Sequence, residues 1–446
     1  MTHPADLSVA EAGEALRSGW LLAADLTRAH LDRIAALNPS VRAFVHLAED
    51  RAIAAAEKAD AELASGEDRG PLHGIPFAIK DVFDVEGMPV IYGSRLHRGR
   101  IAPATAPVVQ RLLDAGAVPL GIVATYDLGI VGPGSDGAYP PAVNPWNPAH
   151  ITGGSSSGAA AAVAAGMVRI ALGSDTGGSV RSPAAYCGVV GLKPAYGSTP
   201  TAGALGLAPS LDHLGSVARS VGDAMLMLDA MTGRRTELRA GIEGLRIGYA
   251  RSWFADDPAT HSDVTLAMDA AVSDLSLCGA ATPMTDLPDY ALMEAAAAVL
   301  IHGEGLETHR EALRGDGGAM GRMPYQSMIA GVTLTGGDLA NAHEAARRLR
   351  AEIDAALATV DAVVMPTVLA PAPPFSAFEA NEAVWTAMRT IPFNMTGHPA
   401  LSVPMGFSGG LPLGMQIVGR DESTICRIGA AYEMATDHSA QRPYFA

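Results

Sequence analysis

Charge and cysteine are both scarce in this chain of 446 residues: 17% of positions are charged, and there are three cysteines, Cys187, Cys278 and Cys426. An odd number of scattered cysteines without CxxC spacing supports neither a disulfide framework nor a zinc site, so they read as reduced core residues. Basic residues are the scarcer sign, 31 Lys and Arg against 47 Asp and Glu, leaving a net charge of −16. That balance repels phosphate backbones and anionic lipid, which argues against direct nucleic-acid binding. Long runs of Leu and Ile are missing too. The most uncharged stretch, 151–167, consists mostly of Gly, Ser and Ala, too weakly apolar for a membrane span. No basic start followed by an apolar run of signal-peptide length opens the chain, so a cytoplasmic protein is the expectation.

What is abundant is apolar mass, 48% of residues, together with 49 glycines and 30 prolines, the composition of a large interior crossed by many tight turns. The first 66 residues read as helical. Ser8 and Glu11 fit a capping box opening a helix to about Arg17, a second helix runs to Asn38-Pro39, and a third from Ala48 to Ala64 stops at Ser65-Gly66. From Gly74 the texture changes. The run GIPFAIKD is short, continuously apolar and ends in charge, as expected of a strand buried on both faces. Similar runs at Val118–Ile122, Val168–Leu172, Leu245–Tyr249, Ala362–Met365, Ala400–Val403 and Gly414–Val418 alternate with helix-like segments at Val108–Ala115, Ala340–Leu357 and Glu422–Met434. Such alternation predicts an α/β layered fold, read as one domain over 1–446. Its centre is about 71–219, preceded by the helical segment 5–66 and closed by a return block over 360–446. The Gly- and Met-rich segment from about Arg310 to Gly337 reads as a loop.

Two Gly/Ser clusters carry the chemistry, Gly153-Gly-Ser-Ser-Ser-Gly158 and Gly173-Ser-Asp-Thr-Gly-Gly-Ser-Val-Arg181. Neither has a lysine after its last glycine, so a phosphate-cradling loop loses its anchor. Residues 154–158 match the GxSxG elbow with Ser156 as nucleophile, but that motif requires a strand just before it. Asn144–Thr152, with two prolines, suits a loop instead. The second cluster follows a strand, and Gly177 and Gly178 allow a sharp turn that can aim successive N–H groups into one space, as an oxyanion hole requires. Ser179 ends that turn. A serine needs a base, and the residues alone leave the choice open. None of the 13 histidines stands in a recognisable triad context, His73 being the nearest to a motif. Lys80 ends the PFAIK run. Taken alone it reads as a strand-end lysine reaching solvent, whereas desolvated it would be partly neutral and able to accept a proton.

With these blocks in order, Gly74-Ile-Pro-Phe-Ala-Ile-Lys80-Asp81, the two clusters through Pro183, and Gly191-Leu-Lys-Pro194, the chain resembles the amidase signature family. The spacing agrees: Lys80 lies 75 positions before Ser155, and Ser155 lies 24 before Ser179. The likeness is strongest over 71–219 and returns at 389–404 and at Gly410-Leu-Pro-Leu-Gly-Met-Gln416. It implies an α/β fold with a large mixed sheet flanked by helices on both faces. It also implies Ser179 as nucleophile, Ser155, held through a cis peptide after Gly154, as relay, and Lys80 as base. The N–H groups of Thr176, Gly177, Gly178 and Ser179 would form the oxyanion hole. Asp175 and Arg181 would fix the nucleophile loop, with Thr152 and Ser157 assisting. No cofactor or metal is implied. The binding partner would be a small-molecule amide, with neither membrane nor nucleic acid involved and a homodimer compatible with the reading.

The chain departs from the family at Val123-Ala-Thr-Tyr126-Asp127, where a segment resembling Thr-Asn-Met-Asp-Glu-Phe is expected. An unusual substrate follows, with Tyr126, Gly129, Trp385, Phe393 and Asn394 as candidate pocket residues. Two alternatives stand beside a small-molecule amidase. One is the glutaminase component of a glutamyl-tRNA amidotransferase, and the other is a catalytically silent binding protein on the same fold.

Overall fold

In a computed structural model describing residues 3–236, 238–315 and 318–443, ten strands form one mixed sheet flanked by helices. The strands are β1 Phe44–Leu47, β2 Pro76–Lys80, β3 Val118–Val123, β4 Ile170–Asp175, β5 Val190–Lys193, β6 His213–Ala218, β7 Ile247–Tyr249, β8 Ala362–Pro366, β9 Ala400–Ser408 and β10 Leu411–Gly419. They lie in the order β1-β3-β2-β4-β6-β5-β9-β10-β8-β7. Strands β1–β6 and strands β7–β10 join mid-sheet, where β5 pairs antiparallel with β9, Leu192 opposite Leu401.

The position of β2 sets up the site. It is parallel to both β3 and β4, and every residue of PFAIK is buried, as expected for a strand covered on two faces. With Ile79 opposite Leu172, Lys80 falls beside the end of β4. Both strands therefore deliver their carboxyl ends to one edge, where the connecting loops of open α/β sheets build sites. Strand β4 begins two residues later than the sequence suggests and ends three residues later, so that Asp175 is its last residue instead of the first of the loop.

The capping box at Ser8 and Glu11 is present, and the third helix, Glu49–Ala64, ends as expected with Gly66 at φ +88°. The second helix, Ala23–Val41, continues past Pro39. A proline this close to a helix end removes one backbone donor, and the chain closes at Arg42, whose N–H donates to Asn38 O at 2.7 Å. The segment expected as a loop near 310–337 instead folds into helices Arg310–Arg314 and Arg322–Ile329, except at 316–317, which lie outside the described residues. Met323 and Met328 are buried there, so the methionines supply the apolar contacts that glycine cannot. Cys187 and Cys426 are buried, Cys278 is half-buried, and all three are free thiols. Among the described residues no helix is long and apolar enough to cross a membrane.

Candidate active site

From Asp175 the chain turns through 176–180 into the helix Arg181–Cys187. The turn wraps around the Asp175 carboxylate, which accepts the N–H of Gly178 at 2.8 Å and of Val180 at 3.1 Å. Gly178 has φ +129°, and a Cβ there would collide with Thr390 Oγ1, so the turn closes only with glycine. Arg181 is wholly buried and all five of its N–H donors are engaged. Nε and Nη2 reach Asp175 at 3.0 and 2.9 Å, Nη1 reaches Thr390 O and Gln416 Oε1, and Nη2 also reaches Asn394 Oδ1. Burial works against an ionised Asp175, but the Arg181 guanidinium outweighs it and holds the carboxyl well below the usual range. Removing either partner would strand the other charge without solvent.

This network corrects the expected oxyanion set. The Gly178 N–H is committed to Asp175 and cannot face a substrate carbonyl. Among the described residues, the N–H groups of Thr176, Gly177 and Ser179 and the Ser179 hydroxyl have no hydrogen-bond partner; Gly177 and Ser179 border the cleft, while Thr176 borders the neighbouring cavity behind it.

Lys80 is wholly buried at the end of β2. Its Nζ donates to Ser155 Oγ and to Ser174 Oγ, each at 2.8 Å. Burial lowers its pKa from the ordinary 10.5 to about 7, opposed by the fields of Asp175, Asp212 and Asp81. Ser155 follows a cis peptide after Gly154, and its hydroxyl donates to Gly129 O at 2.6 Å. No direct hydrogen bond joins Ser155 Oγ to Ser179 Oγ; the two loops are tied by Ser156 N–H donating to Ser179 O at 3.1 Å. Ser156 itself is buried, its hydroxyl donating to Ser174 O, and no strand precedes it. Among the described residues no histidine bonds a serine hydroxyl, and His73 sits apart, against Glu62 and the Arg69 N–H.

The cleft at Ser179 is narrow, about 30 Å³, between Tyr126, Gly153, Gly154, Ser182, Trp385 and Met388. Tyr126 lies over Gly154 so closely that a Cβ there would enter its ring. Its hydroxyl is buried beside Thr152, outside normal hydrogen-bond geometry. The other expected pocket residues divide. Trp385 borders the cleft, but Gly129 stands behind it, holding Ser155 and bordering a separate cavity of about 300 Å³ with Asp212 and His213. Phe393 is core, stacked on Trp253 at 5.7 Å between ring centres. Asn394 is buried in the Asp175–Arg181 network, its Nδ2 donating to Asp175 O at 2.8 Å. Thr152 and Ser157 are buried with hydroxyls on backbone carbonyls, Gly153 O and Ala124 O.

Sequence reasoning misses Ser174, the second partner of Lys80, although it stands within the quoted cluster. It also misses Thr390, whose hydroxyl donates to Gly177 O at 2.6 Å and braces the turn from the opposite end of the chain. No group of three metal-ligating side chains occurs among the described residues.

The family model described as Amidase matches residues 25–424. A curated relative, the A component of the glutamyl-tRNA(Gln) amidotransferase of Chloroflexus aurantiacus, is 36% identical, the alignment spanning 99% of each chain. Among solved structures, an inhibitor-bound complex from work on a vestigial protein complex and the origins of an s-triazine catabolic enzyme superposes with TM-score 0.89 at 33% identity, covering 96% of this chain and 98% of that one. The native peptide amidase from Stenotrophomonas maltophilia superposes with TM-score 0.84 at 31% identity, covering 98% of each.

Proposed function

We propose, from the premise that this chain belongs to the amidase family and is an amide hydrolase, that it cleaves its amide through an acyl-enzyme on Ser179. In this reading Ser155 relays the proton and Lys80 is the base. The observation that carries the reading is Lys80: a buried amine with pKa near 7, 2.8 Å from a serine hydroxyl, is substantially neutral at neutral pH and can accept a proton. The Ser155 hydroxyl holds one proton, now on Gly129 O; turning toward neutral Nζ, it delivers that proton and takes another from Ser179. Ser179 attacks the carbonyl carbon, and the N–H groups of Thr176, Gly177 and Ser179 receive the oxyanion, one such donor being worth roughly 3 kcal/mol. The relay then protonates the departing nitrogen, the C–N bond breaks, and water repeats the sequence to release a carboxylate. Labelling by a fluorophosphonate probe tests it. Ser179→Ala should abolish labelling and Lys80→Ala should slow it severely, while labelling of Lys80→Ala at the wild-type rate would overturn the mechanism.

The substrate admits two readings. The names of the curated relatives favour the glutaminase component of an amidotransferase, supplying ammonia from glutamine to a protein partner. The cleft lining favours a different small amide, because among the described residues bordering it there is no Lys or Arg to meet the α-carboxylate of glutamine. Glutamine hydrolysis by the chain, alone and with a candidate partner, separates the two. Turnover that appears only with the partner supports the amidotransferase reading, and turnover of other amides by the chain alone supports the stand-alone one.

A further inference from the structure

Beside the Ser179 cleft, and sharing with it Gly177, Trp385, Thr386 and Met388, lies a second cavity of about 400 Å³, built against the helix Tyr290–Thr308. It starts at the turn itself. A Cβ on Gly177 would come 3.5 Å from Ile391, 3.6 Å from Trp385 and 3.7 Å from Ile301. The turn that would hold a carbonyl thus borders the chamber directly at Gly177.

The polar side chains lining the chamber are Glu294, His302 and Tyr290 together with the Trp385 indole and the Thr386 hydroxyl, and among the described residues lining it there is no Lys or Arg. Glu294 offers a carboxylate. His302 donates Nδ1–H to Ser327 O at 2.8 Å, which leaves Nε2 as an acceptor, and burial lowers its pKa and keeps the ring neutral. The Tyr290 hydroxyl lies between two acceptors, Glu294 Oε1 at 2.8 Å and Met388 O at 2.7 Å, so its one proton is already engaged. Arg389 stacks over the Tyr290 ring at 3.8 Å from its centre, bonds Trp253 O and Asp257, and does not border the chamber. A largely apolar room whose one charged lining side chain is the Glu294 carboxylate, with His302 Nε2 as a further acceptor, suits an occupant that brings a positive charge.

We propose that this chamber receives the acyl end of the amide and selects substrates whose acyl chain ends in an ammonium, with Glu294 as the specificity-determining residue. The proposal rests on Ser179 being the nucleophile, and the test separates the two. Three primary amides of matched length are compared: 6-aminohexanamide, hexanamide and the monoamide of adipic acid. Each is read by kcat/KM and by its ability to protect Ser179 from a fluorophosphonate. The cationic amide should exceed the anionic one by about fivefold or more in both readouts, the modest size expected of a charge open to solvent, and high salt should shrink the ratio. Glu294→Gln should bring the ratio close to one, mainly through KM, whereas Glu294→Asp should retain part of it. An equal or reversed preference in the wild type, or a ratio unchanged in Glu294→Gln, overturns the inference while leaving Ser179 chemistry in place. Absence of both turnover and Ser179 labelling overturns the two together.

Discussion

The two sides of the cleft are built in opposite ways. On the Ser179 side, Asp175, Arg181 and Asn394 are completely buried and bonded to one another, and Gly178 fits its place only because it has no Cβ. On the substrate side, Trp385 is 41% exposed and Val384 47%, in a stretch without regular secondary structure, and Glu294 projects from a solvent-facing part of its helix. On the proposed mechanism, this contrast places the chemistry in a network with no slack and leaves selectivity to side chains that can change without disturbing the sheet.

Several substitutions test that division. Ser179→Ala should have the largest effect, a loss of roughly six orders of magnitude in kcat, as for removal of a serine nucleophile elsewhere, with thermal stability nearly unchanged because the side chain bonds nothing among the described residues. Lys80→Ala should lower the acylation rate by about three orders of magnitude or more, within the range for a general base. Asp175→Ala should destabilise the fold by about 3–5 kcal/mol, since it leaves the buried Arg181 charge unpaired, and activity should fall with it; differential scanning calorimetry reads this directly. Trp385→Ala should be mildest, raising KM by about tenfold while moving stability by less than about 1 kcal/mol, as expected at a partly exposed position. If Trp385→Ala lowered the melting temperature as much as Asp175→Ala, the contrast between the two sides would collapse.

Much of this is legible in the sequence where the signal is local. The five apolar residues of β2 announce a doubly covered strand, Ser8 and Glu11 announce a capped helix, and two glycines before Ser179 announce a turn that can present backbone N–H groups. The rest depends on contacts across the chain. Lys80 reads as a solvent-seeking lysine until β3 and β4 enclose it, and Asn394 reads as a pocket residue until Arg181 claims it. The commitment of the Gly178 N–H to Asp175 is likewise invisible, because β4 must run beyond its apolar run to Asp175 before that carboxylate faces the turn.

The central claim, that a neutral Lys80 drives acylation of Ser179 through Ser155, is met most directly by the pH dependence of the acylation rate. Burial lowers the Lys80 pKa to about 7, so the active neutral form is scarce well below that pH and dominant above it. The rate should climb with a midpoint near pH 7 and level off on the alkaline side, and Lys80→Ala should lose this step. A profile that is flat across neutrality, or a step that persists unchanged in Lys80→Ala, would contradict the account.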